Sequence, residues 1–192
     1  MAMDILEQAP PKEKRQKPII VDTKKLSGIE KRVAEIGNKT VEFGYKHGLE
    51  KCYFLDENGD VVSSVTSDKA LRCDITNAVK KLKSGKKYIQ VHNHFENYSF
   101  SSNDVYSFVN IPQINKMVVV SEKFIFEIFK NSKTKTIKYR REIFSMVIQK
   151  FIRIYAKKYD IMLNEKNIKF IYLVANKILS KRLNYEFKIT KK

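Results

Sequence analysis

The chain has 192 residues, 43% of them hydrophobic, which suits one domain with an appendage and excludes a disordered chain. Its net charge of +17 is uneven, with +3 in residues 1–49, 0 in residues 50–129 and +14 in residues 130–192, so the last third should have its own role or partner. No apolar run approaches the roughly 18 residues of a membrane span, and the opening MAMDILEQAPPKEKRQKP lacks the basic-then-apolar order of a signal peptide, so a cytoplasmic protein with no membrane partner is expected.

In chain order, residues 1–26 place Pro10, Pro11 and Pro18 among charges and read as a flexible N-terminal arm, with Ile19, Ile20 and Val21 free to pack on the domain. Ser27 and Glu30 form a Ser-x-x-Glu capping box, and Ile29, Val33, Ile36, Val41 and Phe43 suit an amphipathic helix ending at Gly44 or Gly48. A hairpin comes next: residues 50–56, a turn at Asn58-Gly59, then residues 61–66, with Glu50, Cys52 and Phe54 on one face of the first strand. Leu71, Ile75, Ala78, Val79 and Leu82 predict a helix over residues 69–82, closed by Lys83-Ser84-Gly85. Cys52 and Cys73 are too few and too far apart for a disulfide framework or a cysteine-based zinc site, and read as reduced packing residues.

Residues 88–91 have strand composition, and a helix is expected near residues 102–110. Residues 117–120 and 124–129 read as strands joined by Ser121-Glu122-Lys123. Residues 140–159 form a strong amphipathic helix and residues 165–183 a second, whose apolar faces need each other, the domain or a second subunit as partner. The expected class is α+β: a mixed sheet flanked by helices over residues 27–130, then a basic helical region over residues 131–192.

Residues 91–104, VHNHFENYSFSSND, hold two of the three histidines. Alternate residues of a strand share a face, so His92 and His94 can converge on one cation. Asp104, in the first turn of the next helix, can return as a third ligand, while Ser101 and Asp104 also spell a Ser-x-x-Asp capping box. Capping and ligation are compatible.

This stretch resembles the JAB/MPN metalloproteases, whose JAMM motif joins an upstream glutamate to His-x-His, a loop and Ser-x-x-Asp. His92, Asn93, His94, Ser101 and Asp104 match that pattern, Glu50 stands where the glutamate is expected, and the similarity spans residues 50–129. Asn93 and the Phe100-Ser101 pair look most like the bacterial and phage-associated branch. Phe95 stands where proline is usual, and the loop to Ser101 is one residue shorter than in the commonest form. The resemblance implies a JAB/MPN-like domain with Zn2+ on His92, His94 and Asp104, Glu50 as general base and Ser101 as oxyanion donor. It further implies hydrolysis of amide or isopeptide bonds in a protein or peptide, ubiquitin-like tails included. A non-catalytic scaffold of this kind is the variant without chemistry.

A different class of function is a nucleic-acid or other polyanion binder working through the C-terminal helices. Lys138, Arg140, Arg141, Lys157, Lys158, Lys181 and Arg182 would supply the charge, interleaved with Tyr139, Tyr155, Tyr159, Phe170 and Tyr172.

Overall fold

The computed structural model describes residues 11–68 and 73–192. Helix α1 (Gly28–His47) leads into the hairpin β1 (Lys51–Leu55) and β2 (Val61–Thr66), then a single turn α2 (Thr76–Val79) and strand β3 (Tyr88–Asn93). Helix α3 (Ser102–Asn110), strands β4 (Ile114–Val120) and β5 (Phe124–Phe129), helices α4 (Arg141–Lys158) and α5 (Glu165–Leu183) and strand β6 (Glu186–Lys191) complete the described order. The class is the expected α+β.

The strands form one sheet in the order β2-β1-β3-β4-β5-β6, antiparallel except for the parallel pair β3–β4. A parallel pair needs a crossover, and α3 supplies it. Alternation along the strands splits the core between the two faces. Leu55, Val91, Val118 and Val120 meet Val33, Ile36 and Val41 of α1. Cys52, Phe54, Met117, Val119, Phe126 and Ile128 meet Val105 and Phe108 of α3, Phe144, Ile148 and Ile152 of α4 and Ile171 of α5. Residues after 130 thus share a core with those before it. Among the described residues no helix is long and apolar enough to cross a membrane.

Several local expectations are revised. Ser27 makes no side-chain bond to the start of α1, because Gly28 turns the backbone to φ +52° and takes the hydroxyl out of capping geometry. The far end of α1 stops at Gly48, whose left-handed φ of 71° lets its N–H reach the Gly44 carbonyl at 2.8 Å. Of the helix expected over residues 69–82, residues 69–72, with Leu71, lie outside the described residues. The rest shortens to α2, since the Asp74 carboxylate accepts the Thr76 N–H (2.9 Å) in a turn just before it.

Residues 1–10 of the expected arm also lie outside the described residues, while the next segment is tied down. The Ile19 N–H donates to the Glu122 carbonyl (3.0 Å), and Asn38 clamps Val21 from both sides, accepting its N–H (2.9 Å) and donating to its carbonyl (3.0 Å). Strand β6 is an addition to the expected elements. Asn184 leaves α5 in the left-handed conformation (φ 53°), and the alternating run Glu186-Phe187-Lys188-Ile189 then pairs with β5, putting Phe187 opposite Ile128.

Candidate metal centre

The cluster lies at the carboxyl end of β3, where the chain leaves the sheet for the crossover helix. In the antiparallel pairing of β1 with β3, Cys52 stands opposite His92, and the same register continued by two residues sets Glu50 opposite His94. His92 and His94 point to the α3 face of the sheet, and Asn93, between them, points to the α1 face.

Asp104 closes the group from the first turn of α3. His92 Nε2 lies 3.2 Å from His94 Nε2 and 3.3 Å from Asp104 Oδ1, and His94 Nε2 lies 3.4 Å from Asp104 Oδ2. Bonds of about 2.0–2.1 Å to a tetrahedral ion separate the donor atoms by about 3.3–3.4 Å, the size of each of these contacts, with the two imidazoles meeting different oxygens of Asp104. Two imidazoles and one carboxylate are therefore a fitting donor set. Glu50 reaches the same point from the opposite strand, with Oε1 3.6 Å from His94 Nε2.

Tautomer and charge agree with that reading. His94 Nδ1 lies 2.9 Å from the Ser99 carbonyl oxygen, which can only accept, so Nδ1 carries the proton and the Nε2 lone pair faces the cluster. Burial pushes the His94 imidazole down to about 4 against the pull of Asp104, with His92 lowering it further, so it is neutral near pH 7 as a ligand must be. His92 Nδ1 is buried with no hydrogen-bond partner among the described residues.

The two carboxylates are pushed apart. Burial alone would raise Asp104, but the charge and hydrogen bond of His92, together with His94 and Ser101, hold it well below the usual carboxylate range. Burial raises Glu50 well above that range, the Asp104 charge adds to it, and the Cys73 backbone N–H opposes it. An ionised carboxylate beside one tuned upward is the division of labour expected of a ligand and a proton acceptor. Burial, then Glu50 and Asp104, push the Cys73 thiol up to about 12, and burial with Cys73 raises Cys52, so neither supplies a thiolate.

Ser101 is engaged with Asp104 rather than open. Its N–H (2.8 Å) and hydroxyl (2.7 Å) both donate to Asp104 Oδ2, and its Oγ accepts the Asp104 N–H (3.2 Å), a complete capping box. Capping therefore orients the candidate ligand, since Oδ1 is left facing His92.

Several residues to which the sequence assigns no role hold this geometry. Asn93 accepts the Lys51 N–H at Oδ1 (2.8 Å) and donates from Nδ2 to the Leu49 carbonyl (3.3 Å), gripping the chain on both sides of Glu50. Glycine at position 44 of α1 makes room for that amide, because a Cβ there would collide with Asn93 Nδ2. Ser67 fixes the Glu50 backbone, accepting its N–H (2.8 Å) and donating to its carbonyl (3.1 Å).

The loop between His94 and Ser101 is held from three directions. Phe95 is buried, so packing supplies an anchor where proline would have stiffened the backbone. The Glu122 carboxylate accepts the N–H groups of Glu96 (2.6 Å) and Asn97 (2.8 Å), two residues at positive φ. Asn176 of α5, itself buried, donates to Ser99 Oγ (3.0 Å) and the Phe100 carbonyl (2.7 Å), and Lys169 pairs with Glu96 at 2.7 Å. The position of Asn176 in the apolar run Ile171-Tyr172-Leu173-Val174-Ala175-Asn176 is the signal that sequence offers for it.

The chain matches no protein-family model, no curated protein and no solved structure. The remaining residues named from sequence lie away from the cluster. His47 stacks on Phe43 at 4.5 Å on the open side of α1. All seven basic residues of the expected polyanion surface are exposed, but they form two groups. Lys138, Arg140 and Arg141 lie at and just before the start of α4 and Lys181 and Arg182 in the last turn of α5, whose Leu183 carbonyl accepts the Lys135 N–H (2.8 Å). Lys157 and Lys158 lie at the other end of α4, about 24 Å away at 1.5 Å per residue.

Proposed function

We propose that the protein is a metal-dependent hydrolase of amide or isopeptide bonds, with Zn2+ held by His92, His94 and Asp104, in the manner of the JAMM peptidases it resembles. The observation that carries this reading is the cluster of His92, His94 and Asp104 with the buried Glu50 carboxylate beside it. Zinc supplies Lewis acidity and acidifies water at such a site.

The protein's own groups do the rest. Glu50 Oε1 accepts the proton of the attacking water and hands it to the departing amine, a role for which its raised proton affinity fits it. Ser101 turns its hydroxyl from Asp104 to the developing oxyanion, where one donor is typically worth about 3 kcal/mol. The exposed basic groups support polyanion binding as a second reading.

Two measurements test the hydrolase. Protein purified without added metal should hold about one zinc per chain, and His92→Ala or Asp104→Ala should lose it. An isopeptide-linked peptide library should be cleaved by the zinc-loaded chain and spared by Glu50→Gln. Absence of zinc, or equal cleavage by that variant, overturns the assignment.

A further inference from the structure

Helix α4 has two apolar faces, and only one is used among the described residues. Phe144, Ile148, Ile152 and Ala156, four residues apart, enter the core. Ile143, Met146, Val147 and Ile154 form a second stripe that remains open, with Met146 70%, Val147 55% and Ile154 56% exposed. Four exposed apolar side chains on one helix face exceed the scattered apolar residues of an ordinary surface.

Open space of about 860 Å³ lies along Ile143, Met146 and Val147, lined by side chains of α4 and, at one edge, by Asn103 at the start of α3. Arg141, Lys150 and Arg153 line it with the apolar side chains, and among the described residues Glu142 is the only acidic one in its lining. Asn103 is the sequence neighbour of Asp104 on α3, and the Ser102 and Ser145 hydroxyls meet at 2.9 Å where α3 and α4 touch.

We infer that this face docks an acidic, amphipathic polypeptide segment. Its apolar side chains would cover Ile143, Met146 and Val147 while its carboxylates meet Arg141, Lys150 and Arg153. Lys150, one turn on from Met146 and Val147, stands within the stripe and Arg153 beside it, so apolar and cationic groups share the face that an acidic amphipathic helix would cover, and methionine suits a surface that must adapt to its ligand. A second copy of the chain fits less well, because a two-fold contact through this face would oppose its own cations. A nucleic acid fits less well too, because among the described residues no aromatic ring lines this space for bases to stack on. On the hydrolase reading, this face is also where the substrate protein is held while the bond to be cut reaches Asp104.

The test uses the full chain and a fluorescent helical peptide of about 15 residues, with leucines at i, i+3, i+4 and i+7 and glutamates flanking them. Anisotropy should show binding that weakens at least about tenfold in Met146→Glu/Val147→Glu and in Lys150→Glu/Arg153→Glu, with metal content and melting temperature unchanged. A scrambled peptide of the same composition should bind markedly less than the amphipathic one, which separates docking from attraction to a cationic protein. Equal binding by wild type and variants, or no binding, overturns the inference. So does an oligonucleotide that binds more tightly than the peptide and is lost in the same variants, or a dimer in sedimentation that Met146→Glu disperses. Because the peptide carries no scissile isopeptide and binding is read directly, failure of the hydrolase leaves the result intact.

Discussion

On the proposed hydrolase reading Glu50 would carry the proton transfer, and its burial makes a prediction that needs no substrate. In chelator-treated protein its folded pKa lies above the unfolded value of about 4.3, so the stability it contributes is complete below that pH and is lost as pH rises through the folded value. Glutamine has no proton to lose. Glu50→Gln should therefore melt higher than wild type at pH 8 and level with it at pH 4, and equal melting at both would contradict the assigned burial. If the chain is the proposed zinc hydrolase, the same change should leave metal bound and lower turnover by roughly 10²- to 10⁴-fold. Asn93 acts one step removed, through the chain on either side of Glu50. Asn93→Ala should retain zinc and lower kcat more than it raises KM, with a stability loss of about 1–3 kcal/mol for two hydrogen bonds left unmade. The ligand types and their facing are legible in sequence, because strand alternation settles the relation of His92 to His94 and of Glu50 to Cys52. The role of Asn93 is not, because its partners at Leu49 and Lys51 are more than 40 residues away in the chain and depend on strand pairing.

Secondary-structure elements are legible where periodicity is long and obscure where it is short. Helices α1, α4 and α5 and the hairpin of β1 and β2 follow from apolar spacing and from Asn58-Gly59, with Gly59 at φ 85° in the turn. The helix expected over residues 69–82 is too long, since its apolar spacing carries no weight against the turn that Asp74 imposes at Thr76. Strand β6 alternates as a strand should, but only Phe187 and Ile189 mark its apolar positions, too few to stand out beside a long helix. What sequence could least show is that α5 reaches back to the loop between His94 and Ser101. Asn176 satisfies Ser99 and Phe100 while His94 is oriented by a neighbouring group, the Ser99 carbonyl. Asn176→Ala should thus cost about 1–3 kcal/mol of stability. It should also weaken zinc affinity about ten- to a hundredfold, the usual effect of removing support behind a ligand. Titration of the apo variant with zinc against a competing chelator reads this, and unchanged affinity would confine Asn176 to packing.

At the scale of the whole molecule, charge and architecture divide the chain differently. Residues after 129 hold +14 of the net +17, which marks them off by composition, yet their apolar side chains fill the same core as the strands before them. Phe144, Ile148, Ile152 and Ile171 are all buried, and at about 1.5–3 kcal/mol each they contribute roughly 6–12 kcal/mol. That is the size of a domain's entire net stability, about 5–15 kcal/mol. Strand β6 adds the outer pairing of the sheet, and without it β5 becomes an open edge with Phe124, Phe126 and Ile128 behind it. A chain ending at residue 130 should therefore neither fold nor hold zinc. Its polyanion binding would be uninterpretable, so the charge hypothesis calls for reversals on the intact protein. Arg140→Glu/Arg141→Glu/Lys181→Glu/Arg182→Glu should weaken salt-dependent polyanion binding while leaving melting unchanged, because these side chains are exposed. For the truncation, circular dichroism and zinc content of residues 11–130 decide the matter. A soluble fragment with a cooperative melt and one bound zinc would show that the sheet needs neither β6 nor the helices above it, and the single shared core would have to be given up.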